Sequence, residues 1–211
     1  MKISRIAPFA VVVLTTAFAP APKIIDLHKE VKNKNIAVFN RELSLIDEKA
    51  HPGIRLSKDE GEGLAWVKGV EFSEGIIEFD VRGENVKQHS FVGFAFHGKD
   101  NATFDAIYFR PFNFKEQNEA QRSHSIQYIS LPDHPWRVLR EKFPNKYEQA
   151  VNPAPDPDSW ISVRLEIKGK NIAVFVNGSS EPSLAVEKVS SVTSGGVGFY
   201  VADTSGGDFA N

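Results

Sequence analysis

The chain has 211 residues, a net charge of −2, and 41% hydrophobic against 25% charged residues, the balance of a soluble protein able to bury a core. No basic excess exists to draw a phosphate backbone, so nucleic acid is excluded as an expected partner. Cysteine is absent, which removes disulfides, thiolate metal sites, a cysteine nucleophile and a lipidated cysteine anchor.

The N-terminus reads as a secretory signal. Met1 to Arg5 form a short basic head, and Ile6 to Ala19 form an apolar run ending in small residues. That run is short for a membrane span. Pro20 and Pro22 disfavour cleavage directly before them, and a cut after Ala17 fits the small-residue pattern. Residues 1–19 are therefore assigned to a signal peptide, and 23–211 to a single domain. The expected location is secreted or periplasmic, with no membrane insertion once the signal is removed.

Beyond the signal, period-two runs bounded by Gly, Pro, Asn and Asp recur, and helix signals are scarce. In "GIIEFDVRG", Ile77, Phe79 and Val81 alternate with Glu78, Asp80 and Arg82. In "FVGFAFHG", Val92, Phe94 and Phe96 alternate with Gly93, Ala95 and His97. "AIYFRP" sets Ile107 and Phe109 against Tyr108 and Arg110, and "SIQYIS" sets Ile126 and Tyr128 against Ser125, Gln127 and Ile129. Phe109, Phe112 and Phe114 are expected in the core.

Leu131 to Ser159 holds six prolines and reads as a long excursion with a short helix over Pro135 to Phe143. Its end, "PAPDPDSW", is expected to deliver Trp160 into the core at a strand start. "WISVRLEIKGKNIAVFVNG" reads as a hairpin turning at Lys168 to Asn171. "GGVGFYVAD" adds a strand with Val197, Phe199 and Val201 in phase. Many antiparallel strands with one apolar face each predict an all-β, two-sheet jelly-roll β-sandwich.

The faces opposite the apolar ones carry the candidate site. If four successive strands share one sheet, their polar positions sit about 4.8 Å apart from strand to strand and form one patch. It would contain Glu78, Asp80, Arg82, His97, Tyr108, Arg110 and Gln127, with small Gly93 and Ala95 leaving a hollow. Trp136, from the long loop, would stand beside it. Carboxylate, guanidinium and amide groups can hold sugar hydroxyls, and an aromatic ring can stack on a pyranose face. The plainer readings are a solvated strand face, and an Arg110 that only braces the loop.

Taken together, "GEGLAWVKGVEFSEGIIEFDV", "FVGFAFHGKDNATFDAIYFRPFNF", "HSIQYIS", "FPNKYEQAVNPAPDPDSWISVRLEI", "VFVNG" and "GGVGFYVADTSGGDFAN" resemble secreted bacterial proteins of the concanavalin A-like lectin/glucanase superfamily. They are similar to its laminin-G-like branch and to the family assigned to 3-keto-disaccharide hydrolases. The resemblance implies a jelly roll and a carbohydrate partner, and it leaves catalysis open, because one scaffold hosts lectins, hydrolases and inert modules. Chains of this kind usually continue past "GDFAN", so a shortened last strand with an unpaired edge is expected.

The glucanase pattern E-x-D-x-E is broken here, since Arg82 stands where its second glutamate belongs. Retaining chemistry needs two carboxyls about 5 to 5.5 Å apart, which argues against an ordinary retaining glycosidase. A 3-keto-glycoside hydrolase could draw its acid and base from His97, Glu78, Asp80 and Arg110. A non-catalytic cell-envelope module is the third alternative. No cofactor is expected and no zinc spacing occurs. Ser57 to Gly63 and Asp203 to Asp208 carry oxygen ligands that could hold calcium, but solvated turns are the better reading of both.

Overall fold

Alternating apolar residues cannot bury their face alone, and here they do so by stacking two sheets. The computed structural model describes residues 22–211, so the signal assigned to residues 1–19 lies outside the described residues. In chain order come α1 (Leu27–Lys32), β1 (Ile36–Phe39), β2 (Leu43–Glu48), β3 (His51–Leu56), β4 (Gly63–Phe72) and β5 (Gly75–Arg82). There follow β6 (Val92–Gly98), β7 (Phe104–Phe109), α2 (Glu119–Arg122), β8 (Ile126–Leu131), α3 (Trp136–Lys142) and β9 (Glu148–Gln149). The chain then forms β10 (Ile161–Lys168), β11 (Asn171–Val176), β12 (Leu184–Glu187), β13 (Gly195–Val201) and β14 (Gly207–Ala210). Among these elements no helix is long and apolar enough to cross a membrane.

The first sheet runs β1-β4-β13-β6-β7-β8-β9 and the second β12-β11-β10-β5-β14-β3-β2, with every pairing antiparallel. The predicted hairpin is β10–β11, closed through Lys168 opposite Asn171. Between the sheets the aromatic rings interlock. Phe79 stacks on Phe94 at 5.0 Å, Phe94 meets Phe199 edge-on at 5.4 Å, and Phe199 lies 4.8 Å from Phe209. These residues are at most 4% exposed, which identifies this seam as the core.

Three local expectations are corrected. The last strand, β14, is no edge: it pairs with β3 on one side and β5 on the other. Trp160 is only partly buried and lies outside the core, stacked on His51 at 4.7 Å with the Arg82 guanidinium 4.6 Å from its ring centroid. Its indole N–H donates to Glu48 at 3.0 Å, a polar demand that the apolar seam could not meet. Phe112 is half-buried, edge-on to Phe91 at 5.7 Å, whereas Phe109 and Phe114 are core as expected. The helix predicted after Pro135 is α3, which sends Leu139 into the core and leaves Trp136 44% exposed.

Candidate functional site

On the face of the first sheet turned away from the core, register places Tyr200 opposite Gly93, Gly93 opposite Tyr108, Tyr108 opposite Gln127, and Gln127 opposite Glu148. The neighbouring row runs Gly198, Ala95, Ala106 and Ile129. Small residues flanked by large ones create relief, and a cleft of about 440 Å³ opens above this face, within the range of small-ligand sites. Tyr108 and Tyr200 line it from the strands, Phe91 and Phe112 from the connections, and Trp136 and Arg140 from α3.

Polar groups close the cleft at two ends. At one, the Tyr200 hydroxyl donates to Glu62, which stands at the start of β4. At the other, Arg110 donates to the Tyr108 hydroxyl at 2.6 Å, to the Gln127 amide oxygen at 3.4 Å and to the His124 carbonyl at 2.8 Å. Behind it Glu148, 2% exposed, receives both Arg140 Nε at 2.7 Å and Arg140 Nη2 at 2.6 Å. His124 Nε2 also lies 3.3 Å from Glu148.

Burial governs the titration of these groups. The Tyr108 hydroxyl is pushed up to about 12 by burial, although Arg110 opposes the shift. Tyr200 is likewise raised by burial and by the Glu62 charge. His124 is lowered, chiefly by burial and further by Arg140 and Arg110, while Glu148 pulls the other way. The Glu62 carboxyl sits above its ordinary 4.5 because of burial, against the opposing pull of the Tyr200 hydrogen bond and Arg41.

That last shift has a testable sign. Folded Glu62 holds its proton more tightly than the unfolded chain does, so its contribution to stability falls as pH rises from about 4.5 through the raised folded value. Urea unfolding of wild type and Glu62→Gln across pH 4 to 8 should show the variant gaining on wild type through that window. Parallel pH profiles would mean that the fold leaves this carboxyl free to ionise.

Of the sequence-predicted residues, Gln127 is fully buried with its amide N–H groups donating to the Tyr128 and Tyr147 carbonyls, so it braces Arg110 without reaching the cleft. Tyr108, Arg110 and Trp136 do line it. Glu78, Asp80 and Arg82 do not: they lie on β5 in the second sheet, because the chain crosses between layers after Arg82. On that outer face Asp80 meets His51 at 3.1 Å, Arg82 bridges Glu48 and Asp208, and Arg55 grips Asp208 at 2.6 Å. Asp208 is thereby engaged by two arginines, and among the described residues no three His, Asp or Glu side chains are grouped to hold a metal ion.

His97 is the other correction. Its φ of +53° and the adjacent register shift in β13 turn the ring away from the row of Gly93 and Ala95. It is fully enclosed, with Nε2 2.8 Å from the Ser73 carbonyl, and Nδ1 3.2 Å from Lys188 and 3.4 Å from Asp105. The acid–base set of His97, Glu78, Asp80 and Arg110 is therefore not assembled. Sequence reasoning missed Glu62, Tyr200, Glu148 and Arg140. Of these only Tyr200 carried a signal, as the position alternating with core Phe199 and Val201.

No protein-family model matches the chain, and no curated sequence matches it. Solved structures do. A carbohydrate-binding module, CBM66, from Bacillus subtilis matches with a TM-score of 0.59 and 12% identity, over 84% of this chain and 92% of that one. A galectin-like-fold protein of unknown function, also from Bacillus subtilis, matches at 0.52 and 13%, over 84% and 87%. A putative glycosyl hydrolase from Parabacteroides distasonis matches at 0.51 and 15%, over 82% and 91%. The fold shared with these proteins is a two-sheet antiparallel jelly roll. At such identities the likeness concerns architecture, and it extends over most of each chain.

Proposed function

We propose that this jelly roll binds a carbohydrate in the cleft of its first sheet. The observation that carries the reading is the convergence, around one hollow of about 440 Å³, of an exposed indole with hydrogen-bonding groups already held in place. Trp136 offers a ring face for the C–H side of a pyranose, and Arg140, 4.8 Å from its centroid, steadies the indole. Tyr108, Arg110 and Glu62 then supply directed donors and acceptors for hydroxyls. Their fixed partners mean that little side-chain freedom is lost when a ligand arrives. The shared architecture with a protein named as a carbohydrate-binding module supports the same reading. Export under the signal at residues 1–19 is part of the proposal, and places the domain where polymeric glycans are met.

Trp136→Ala should weaken glycan binding about tenfold by calorimetry or glycan array, the loss of one stacked ring. Its melting temperature should stay within a few degrees, because the side chain is 44% exposed and outside the core. Wild-type affinity in the variant would remove the cleft from consideration.

A further inference from the structure

The two ends of the cleft have opposite hydrogen-bonding character. Glu62 at one end is an acceptor. The Arg110 end presents donors, and it carries more positive charge than its carboxylate neutralises. Arg110 is 5% exposed, and its three hydrogen bonds all go to uncharged oxygens: a carbonyl, a hydroxyl and a side-chain amide. Among the described residues the sole carboxylate within 4 Å is Glu148, at 3.9 Å, and that group is already clamped by Nε and Nη2 of Arg140. Two guanidinium charges thus face one carboxylate. His124 does not change the balance by much at neutral pH, since burial holds it below its ordinary value.

The Tyr108 hydroxyl adds to this. Its oxygen accepts from Arg110, and among the described residues nothing accepts its proton. That proton remains in place at neutral pH. A buried cation with a shared counter-charge is costly, and the cost falls when a ligand brings an anion with it.

Resting on the carbohydrate reading, we infer that the sugar unit seated in the cleft is acidic, its anionic group meeting Arg110 and the Tyr108 hydroxyl while ring hydroxyls face Glu62. A uronate carboxylate and a sulfate ester share the required chemistry: a negative charge and several acceptor oxygens at the rim of a polar ring.

The test is calorimetric titration of the full chain with polygalacturonate, alginate and hyaluronan, each beside its carboxyl-reduced neutral counterpart, and with a sulfated galactan. At least one acidic polymer should bind about tenfold or more tightly than its neutral counterpart, the worth of one charge-assisted hydrogen-bonded contact. A carboxylate ligand reveals itself among the uronates, a sulfate ligand by preference for the sulfated galactan over unmodified galactan. Arg110→Gln should erase the preference while Trp136→Ala weakens acidic and neutral binding alike. If Arg110→Gln fails to fold, the polymer pairs on wild type still decide. Equal binding of acidic and neutral polymers, lost in Trp136→Ala, would overturn the acidic inference and leave the carbohydrate reading standing. Binding of no glycan on a broad neutral and acidic array would remove the carbohydrate reading itself.

Discussion

Glu148→Ala is expected to destabilise the fold by about 3 to 5 kcal/mol, the range for breaking a buried ion pair by removing one partner. Glu148 is 2% exposed and holds Arg140 through two hydrogen bonds, with His124 and Arg110 close behind. Arg140, about a third exposed, can swing into water when its partner goes. Arg110 cannot, because its side chain is 7% exposed and tied to three neighbours. Most of the penalty therefore comes from one cation left in a poorly solvated place. Urea unfolding should show a lower midpoint at an unchanged slope. Adding Arg110→Met to Glu148→Ala should recover part of the loss, since both charges are then gone. A loss below about 1 kcal/mol would mean that water already solvates and screens the charges at this end of the cleft.

Gly93→Ala is the second large effect. A Cβ at Gly93 would stand 2.0 Å from the Ile107 carbonyl oxygen and 2.5 Å from the Tyr108 Cα. Both are backbone atoms of β7, so relief requires β6 and β7 to part. Overpacking of this kind costs about 1 to 3 kcal/mol, and the rigid neighbours place this case at the upper end. Gly196→Ala is the matched control: its nearest atom is 3.6 Å away, an ordinary contact, and its melting temperature should hardly change. A Gly93→Ala protein as stable as wild type would show that the strands part freely. It would also contradict the account of the cleft floor, which depends on Gly93 leaving room between Tyr200 and Tyr108.

The alternation in "FVGFAF", "AIYFR" and "SIQYIS" assigned Tyr108, Arg110 and Gln127 to the outer face correctly, because a two-residue period is a property of one strand. It carries no information about which sheet a strand joins. Glu78, Asp80 and Arg82 show the same outward alternation on β5, yet β5 pairs with β10 and β14 in the sheet opposite β6, so its outward face is the other side of the sandwich. His97 was misread for a different reason: a positive φ beside a register shift breaks the period that identifies a face. Glu148 comes from a two-residue strand and Glu62 from a position just before a strand, where no periodicity exists to read. Helix α1, six residues long, has too few turns to show an amphipathic pattern. The rigid turn "PAPDPDSW" does lead Trp160 to the start of β10, but the acceptor its indole needs lies on the outer face.

Because residues 207–210 separate β3 from β5, the second layer stays split into two halves until almost everything upstream has been synthesised. Neither half can close on its natural neighbour in the interim, and a chain emerging from the ribosome has no early route to a sealed interior. Such a delay would keep the polypeptide threadable for longer, which suits the export that forms part of the proposed function.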